Sequence, residues 1–322
     1  QGSGGTVGDT EGSMGDALPP IALGTGRTAV RLFAGQAHVC ALLDDGAAKC
    51  WGENASAELG LGDREDRGND AGEMGDALPD VDLGTGRAAR MLALGDGHTC
   101  ALLTDGGVKC WGDNTQGQLG VGDTETRGDE PGEMGDTLPD VDLGTGRTAT
   151  ALVAGGTFTC ALLDDQTVKC WGSNASGSLG QGDTEARGDA TGEMGDDLPP
   201  IDLGTGRTAR RLAATYGSVC ALLDDDRVKC WGSNSSGQLG QGDRLVRGSQ
   251  TNQMGDDLMP VDLGAGVVEQ VSGQGSVFCA RFVDGTVKCW GANQAGQLGV
   301  GDTDRRGDDP GEMGTALQPV DL

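Results

Sequence analysis

The chain has 322 residues, with only five Trp, four Phe and one Tyr set among 61 glycines and 10 prolines; that is too little bulk for one thick core but enough for thin layers stacked on one another. Lys and Arg number 23 against 50 Asp and Glu, a net charge of −27, and so acidic a surface excludes nucleic-acid binding driven by counterion release. No stretch reaches the roughly 18 consecutive apolar residues of a membrane-spanning helix, so the chain reads as soluble.

The chain opens at Gln1, not at Met, and without a charged or apolar leader, which fits a protein whose signal peptide has been removed. Residues 1–23 form an extra terminal segment. Its end, Met14-Gly-Asp-Ala-Leu-Pro-Pro-Ile-Ala-Leu23, matches the end of the chain, Met313-Gly-Thr-Ala-Leu-Gln-Pro-Val-Asp-Leu322. Beyond it lie ten cysteines in five Cys-x9-Cys pairs: Cys40 with Cys50, Cys100 with Cys110, Cys160 with Cys170, Cys220 with Cys230, and Cys279 with Cys289. The first members step by 60, 60, 60 and 59 residues, the mark of a tandem repeat. The copies run over approximately 24–83, 84–143, 144–203, 204–263 and 264–322, and together with residues 1–23 make one domain over 1–322. Zinc is the rival reading of paired cysteines, but structural zinc sites use shorter Cys-x2–4-Cys clusters.

The pair spacing predicts a hairpin. Folding Cys100-Ala-Leu-Leu-Thr-Asp-Gly-Gly-Val-Lys-Cys110 about Asp105 sets Leu102 opposite Val108, Ala101 opposite Lys109 and Cys100 opposite Cys110. Directly opposed Cβ atoms of an antiparallel pair lie about 4.5–5.5 Å apart, within reach of a bridge. Five local disulfides follow, each adding roughly 2–3 kcal/mol on the chain-entropy model. Disulfides in this number point to an oxidising location, extracellular or at the cell surface.

The third copy shows the remaining elements in order. Ala149–Ala154 is a short apolar strand, Thr157–Leu163 a second, and Asp164-Asp165-Gln166 turns the chain into a third at Val168–Trp171. Leu198–Leu203 reads as a fourth, its prolines placing it at a sheet edge. A long loop rich in glycine and aspartate, Gly172 to Asp197, joins the third to the fourth. No segment of helical length has a 3.6-residue apolar period, so the chain is all-β. Four short strands per copy, apolar on both faces, fit propeller blades packed against their neighbours.

The run from His98-Thr-Cys100 through Trp111-Gly-Asp-Asn114 to Gly117-Gln-Leu-Gly120 and Gly122-Asp-Thr124 resembles the RCC1 (regulator of chromosome condensation) repeat, and recurs in all five copies. The resemblance implies a β-propeller, in a family whose members range from nucleotide-exchange factors to secreted inhibitors of β-lactamase. The cysteine pair resembles the bacterial, secreted variant of the repeat. The repeat is also lengthened here by Arg-Gly-Asp-x-x-Gly-Glu-Met-Gly-Asp-x-Leu-Pro. Against the family's usual seven blades this chain has five full copies, and its fourth-strand segment occurs a sixth time, at Met14–Leu23. Both a closed five-bladed ring and an open or head-to-tail polymeric assembly are compatible with that count.

Candidate chemistry is sparse. His38 and His98 stand two residues before the first cysteine of their copies, where the others carry Phe158, Ser218 and Val277; a position that accepts Phe and Val reads as packing or rim before it reads as a general base. Trp51, Trp111, Trp171, Trp231 and Trp290 each follow a second cysteine, the regularity expected of blade-to-blade packing. No nucleophile–base pair is visible, and the chain reads as non-enzymatic. Where the copies differ, just before each first cysteine, a partner-binding rim is expected at Gln36, His38, Asp96, His98, Phe158, Tyr216 and Phe278. The acidic loops gather hard oxygens, Asp123, Asp129, Glu133 and Asp136 in the second copy and Asp183, Asp189, Glu193 and Asp196 in the third. That set suits calcium; the competing reading is a solvated loop pinned by Arg127, Arg187 or Arg306 to a carboxylate. The function expected is a protein-interaction scaffold, with a self-assembling filament subunit or an inhibitor of a secreted enzyme as alternatives.

Overall fold

The computed structural model describes residues 14–321. Every regular element among them is β except for three-residue 3-10 turns at Gly15–Ala17, Gly75–Ala77, Gly195–Asp197 and Gly255–Asp257. No helix among the described residues is long and apolar enough to cross a membrane. The strands form five three-stranded antiparallel meanders, one per repeat, each strand pairing only with its neighbours in sequence. The residues group into two compact units, one comprising the chain to Asp113 with Glu125–Asp140, the other Asn114–Thr124 with the chain from Val141.

The first unit holds β1 (Ala29–Ala34), β2 (His38–Leu43), β3 (Ala48–Gly52), β4 (Ala89–Leu94), β5 (His98–Leu103) and β6 (Val108–Gly112). The expected hairpin register is the observed one: Leu102 faces Val108, Ala101 faces Lys109 and Cys100 faces Cys110. The expected bridges between Cys40 and Cys50 and between Cys100 and Cys110 are both formed, with Cα atoms 4.1 Å apart. Beyond β6 the backbone of Gly112 exchanges two hydrogen bonds with Arg127, 2.8 and 3.2 Å. Gly112 has a φ of +102°, and a side chain there would run into the carbonyl oxygen of Gly97; only glycine lets the loop close on the strand. The core lies between the two sheets. Cys40, Leu42, Cys50 and Leu59 of the first blade meet Leu83, Ala89, Leu92, Leu103 and Trp111 of the second.

The second unit holds β7 (Ala149–Ala154), β8 (Phe158–Leu163), β9 (Val168–Gly172), β10 (Ala209–Ala214), β11 (Ser218–Leu223), β12 (Val228–Gly232), β13 (Val268–Gln274), β14 (Val277–Phe282) and β15 (Val287–Gly291). Its three hairpins carry the other expected bridges. Cys160 is joined to Cys170 across β8 and β9, Cys220 to Cys230 across β11 and β12, and Cys279 to Cys289 across β14 and β15. In each pair the two cysteines are direct register partners, as the spacing predicts. Cys160, Leu162, Val168, Cys170 and Leu179 pack on Leu203, Ala209, Leu212 and Trp231 of the next blade. Cys220, Leu222, Val228, Cys230 and Leu239 pack in the same way on Leu263, Val268, Val271 and Trp290. Within each unit a blade therefore presents an outgoing face, centred on its cystine and the leucine two residues beyond its first cysteine, to the incoming face of its successor.

The fourth segment differs from expectation. Leu198–Leu203 is extended but forms no ladder; one bond, Ile201 N–H to the Val168 carbonyl at 2.8 Å, ties it to the third strand. The equivalent bonds are Val81 to Ala48 in the first unit and Val261 to Val228 and Val320 to Val287 in the second. Pro199 and Pro200 have no N–H to give, and the Asp202 carbonyl is taken by Gly255 N–H at 3.0 Å. Of the extra segment 1–23, residues 1–13 lie outside the described residues. Its described end is tied to the first blade by Gly75 N–H donating to the Ala22 carbonyl, 3.0 Å.

Candidate functional site

The loop before each second strand is the expected partner rim, and the structure divides its residues. Gln36 is exposed, Tyr216 is 62% exposed and Asp96 is partly buried. His38, His98, Phe158 and Phe278 lie inside, each at most 1% exposed. The reason is local geometry: the position two before the first cysteine, at His38, His98 and Phe158, points into the layer between blades, where the chain makes room with glycine, and Phe278, one before Cys279, is likewise buried against Gly273. A Cβ at Gly35 would sit 2.7 Å from the His38 ring, and one at Gly155 would collide with Phe158.

The His38 ring is 2.8 Å through Nε2 from the hydroxyl of Thr99, which itself donates to the Glu58 carbonyl at 2.9 Å. His38 Nδ1 is buried without a hydrogen-bond partner. Burial pushes both rings down to a pKa of about 4, and for His98 the neighbouring His38 adds to the effect. Burial likewise raises the Glu58 carboxyl. Both rings are at most 1% exposed, and His38 rests against the fully buried Thr99.

Most carboxylates of the acidic loops accept hydrogen bonds from the protein itself. Asp129 accepts from Arg64 at 2.8 Å, and Glu133 from the N–H groups of Gly128, Asp129 and Glu130 at 2.9, 3.2 and 3.2 Å. Asp136 takes the Thr85 N–H and hydroxyl at 2.8 and 2.7 Å, the hydroxyl first among the causes that hold its carboxyl below the usual range. In the second unit Asp123 accepts from Asn114 at 3.1 Å, and Asp183 accepts from Asn174 at 3.0 Å and from Arg187 at 2.7 Å. Glu193 caps Gly188 and Ala190, and Asp196 holds Thr145, which keeps its carboxyl low in the same way. Asp189 is partly buried and takes no such bond among the described residues. The expected arginine pins are present at Arg187–Asp183, 2.7 Å, and Arg306–Asp302, 2.6 Å. Among the described residues no three His, Cys, Asp or Glu side chains lie together as a metal would need. The fourth copy has Gln253 where the third has Glu193, and its amide oxygen still accepts from Ser249 and Gln250 N–H at 3.1 and 3.2 Å. The position requires an acceptor and no charge.

Sequence reasoning missed two features. The lysine of the Val-Lys-Cys-Trp or Ala-Lys-Cys-Trp run is a buried cation in the first four copies and partly buried, as Lys288, in the fifth: Lys229 Nζ donates to the carbonyls of Leu203 and Gly255 at 3.0 and 2.7 Å, and Lys49 to those of Gly75 and Leu78 at 2.7 and 2.6 Å. Its recurrence next to every second cysteine was the available signal. The other is an apolar exposure on the fourth blade, where Leu245 and Met259 stand in place of the third copy's Glu185 and Pro199.

Tyr216 is the outward-facing aromatic of the rim. Its N–H donates to the Gly275 carbonyl at 3.1 Å and its carbonyl accepts from Gly156 N–H at 2.8 Å. The backbone is thus held from both sides while the ring stands in solvent.

A family model described as the regulator of chromosome condensation (RCC1) repeat matches residues 29–57, 92–118, 149–178 and 210–238. The ultraviolet-B receptor UVR8 of Arabidopsis thaliana is 27% identical over 280 residues, 85% of this chain and 55% of that protein. The E3 ubiquitin-protein ligase HERC2 of Homo sapiens is 27% identical over 277 residues, which are 85% of this chain and 5% of that protein. This chain therefore spans about half of the plant receptor and a small part of the ligase. Among solved structures, Prp20p from Saccharomyces cerevisiae aligns with a TM-score of 0.67 at 18% identity, covering 92% of this chain and 64% of that one. Yeast RCC1 (Prp20) bound to Kap60 aligns with a TM-score of 0.66 at 18% identity, over 92% of this chain and 62% of that one. At such identities the likeness is one of fold: the five sheets are blades of the RCC1 propeller kind.

Proposed function

Because the chain is built of RCC1 repeats and belongs to that family, we propose that it is a non-enzymatic scaffold that binds another protein through the rim around Tyr216. The single observation behind this reading is that ring, 62% exposed on a backbone fixed at both its N–H and its carbonyl. A rigid, amphipathic aromatic loses little entropy on binding and suits an interface anchor. The buried histidines, the capped carboxylates and the internally bonded lysines occupy many of the framework's polar groups within the fold, which fits a scaffold better than a catalyst. Yeast RCC1, whose fold this chain resembles, is solved with Kap60 bound to it. Five disulfides with no free cysteine support work in an oxidising compartment outside the cytoplasm.

The test is retention of partners from the native surroundings on immobilised intact chain and on Tyr216→Ala. A partner held by the first and released by the second, with tryptophan fluorescence unchanged, is the expected result. Equal retention by both chains ends the assignment to this rim.

A further inference from the structure

The acidic loops are linked in series by a contact that recurs from repeat to repeat. In the first unit Gly62 N–H donates to the Gly128 carbonyl at 2.9 Å. In the second unit Gly122 donates to Gly188 at 3.0 Å, Gly182 to Gly248 at 2.9 Å and Gly242 to Gly307 at 3.0 Å. Each bond brings the residue two beyond the donor into register with the residue after the acceptor: Arg64 with Asp129, Thr124 with Asp189, Thr184 with Ser249 and Arg244 with Asp308. Where that pair is Arg and Asp, the two are joined. Arg64 Nε and Nη2 both donate to Asp129 Oδ2, at 3.3 and 2.8 Å. Arg244 Nε donates to Asp308 Oδ2 at 3.0 Å, and its Nη2 bonds the same oxygen. One edge of a planar guanidinium thus meets one carboxylate oxygen through two N–H groups, a geometry that a compact ammonium does not reproduce.

The two other junctions differ in an instructive way. At Thr184 and Ser249 the cation and the anion are both replaced by neutral hydroxyls. At Thr124 and Asp189 the arginine is replaced and the carboxylate is kept. Asp189 is partly buried and accepts no hydrogen bond or ion pair among the described residues, and Thr124 is exposed. The backbone that carries Asp189 is nevertheless fixed. Gly188 and Ala190 N–H donate to the Glu193 carboxylate at 2.9 and 3.0 Å, and a Cβ added at Gly117 would stand 2.5 Å from the Asp189 nitrogen. In a chain of net charge −27 a carboxylate held in place without a cation is left facing its own kind.

We propose that Asp189 receives the guanidinium of an arginine side chain presented by a partner protein. The chemistry of the occupant is set by Asp129 and Asp308, the same position in other repeats, which the chain fills with its own Arg64 and Arg244. The place suits an interface. Asp189 belongs to the same end of the third blade as Tyr216: the Tyr216 carbonyl accepts from Gly156 N–H, Phe158 faces Gly172 in register, and Gly172 is bridged to Arg187 at the start of the loop. One partner surface can therefore cover the ring and deliver the arginine. That the arginine belongs to a protein rests on the scaffold reading; that Asp189 takes a guanidinium does not, and the test addresses Asp189 without Tyr216, so the two failures are separate results.

The probe is N-acetylarginine amide, an arginine side chain without backbone charges, titrated into the intact labelled chain and followed at the amide resonances of Gly188 and Asp189. A saturable shift in the millimolar range or weaker is expected, since one partly exposed ion pair contributes little by itself. N-acetyllysine amide should bind about fivefold more weakly. Asp189→Asn should remove the response, and so should Thr124→Arg, which gives this junction the arginine that the first and fourth repeats supply for themselves. Thr124 is exposed, so that variant keeps its fold. The proposal is overturned if no saturable shift occurs, if the lysine derivative matches the arginine derivative, or if the response survives either substitution. Free arginine binding about tenfold more tightly than its blocked derivative would also overturn it, by making the site one for the amino acid and not for a protein side chain.

Discussion

The indole N–H of Trp231 donates to the backbone carbonyl of Ser178 at 3.0 Å, across the layer between two successive blades. Trp111 and Trp290 make the same bond to Glu58 and Gln238. Because the acceptor is main chain, the side chain at that position is free to vary while the bond is kept.

Removing the donor should therefore weaken the stack. Trp231→Phe is expected to lower stability by about 1–3 kcal/mol, since the buried Ser178 carbonyl loses its partner. Gly180→Ala should act in the same direction, its φ being +64° with a new Cβ 3.0 Å from the indole nitrogen. Urea unfolding reads both; unchanged midpoints would mean that the layer is held by apolar area alone.

The buried lysines give a second expectation. Lys229→Met keeps the apolar stem but strands the Leu203 and Gly255 carbonyls, at a cost of about 2–4 kcal/mol. A variant as stable as wild type would show that water replaces the ammonium without loss.

Acidification should act through the histidines before it acts through most carboxylates. His38 and His98 are held at about 4 when folded against 6.5 when free. The unfolded chain thus takes up protons that the folded chain refuses, so stability is complete above about pH 6.5 and falls as the pH drops towards 4. The loss is about 3 kcal/mol per ring. Glu58 and Asp96, raised by burial, offset part of it at the acid end. Asp136 and Asp196, held low, contribute stability that is lost only at lower pH. Replacing both histidines by Phe, the residue the third blade carries at Phe158, should flatten the midpoint between pH 7 and 5. A slope that persists there would assign the effect to other groups.

Calcium should change little. Asp123, Asp129, Glu133 and Asp136 already accept protein donors, so equal melting midpoints in millimolar calcium and in chelator are expected. A midpoint that rises with calcium would mean that the loops exchange those donors for the ion.

Much of the hairpin was legible because covalent spacing and side-chain alternation are both local: Cys100 and Cys110 define a turn centre, and the whole register of β5 and β6 follows. The same arithmetic holds where the repeat shortens by one residue, since Cys279 and Cys289 keep their spacing and still face each other. The fourth segment reads as a strand because Leu198–Leu203 is extended and apolar, yet a ladder needs donors that two prolines lack. The rim was only half legible. Variation at His38, His98 and Phe158 looks like a partner surface, and a sequence does not say on which side of a sheet a variable residue points. A signal was nevertheless present. Gly35, Gly95 and Gly155 stand three residues before these rings, and where the ring gives way to Ser218 the glycine gives way to Thr215. The acidic loops were legible as clusters of oxygens but not as acceptors of their own backbone, since that depends on how the loop folds back on itself.

Each cystine joins residues ten apart within a single hairpin. No bridge has to wait for a cysteine that is synthesised later in another repeat. The nearest thiol along the chain is always the correct one, and short loops close at the least entropic expense. Oxidation can therefore proceed hairpin by hairpin in the order in which the chain emerges, leaving blade stacking as the sole long-range step of its maturation.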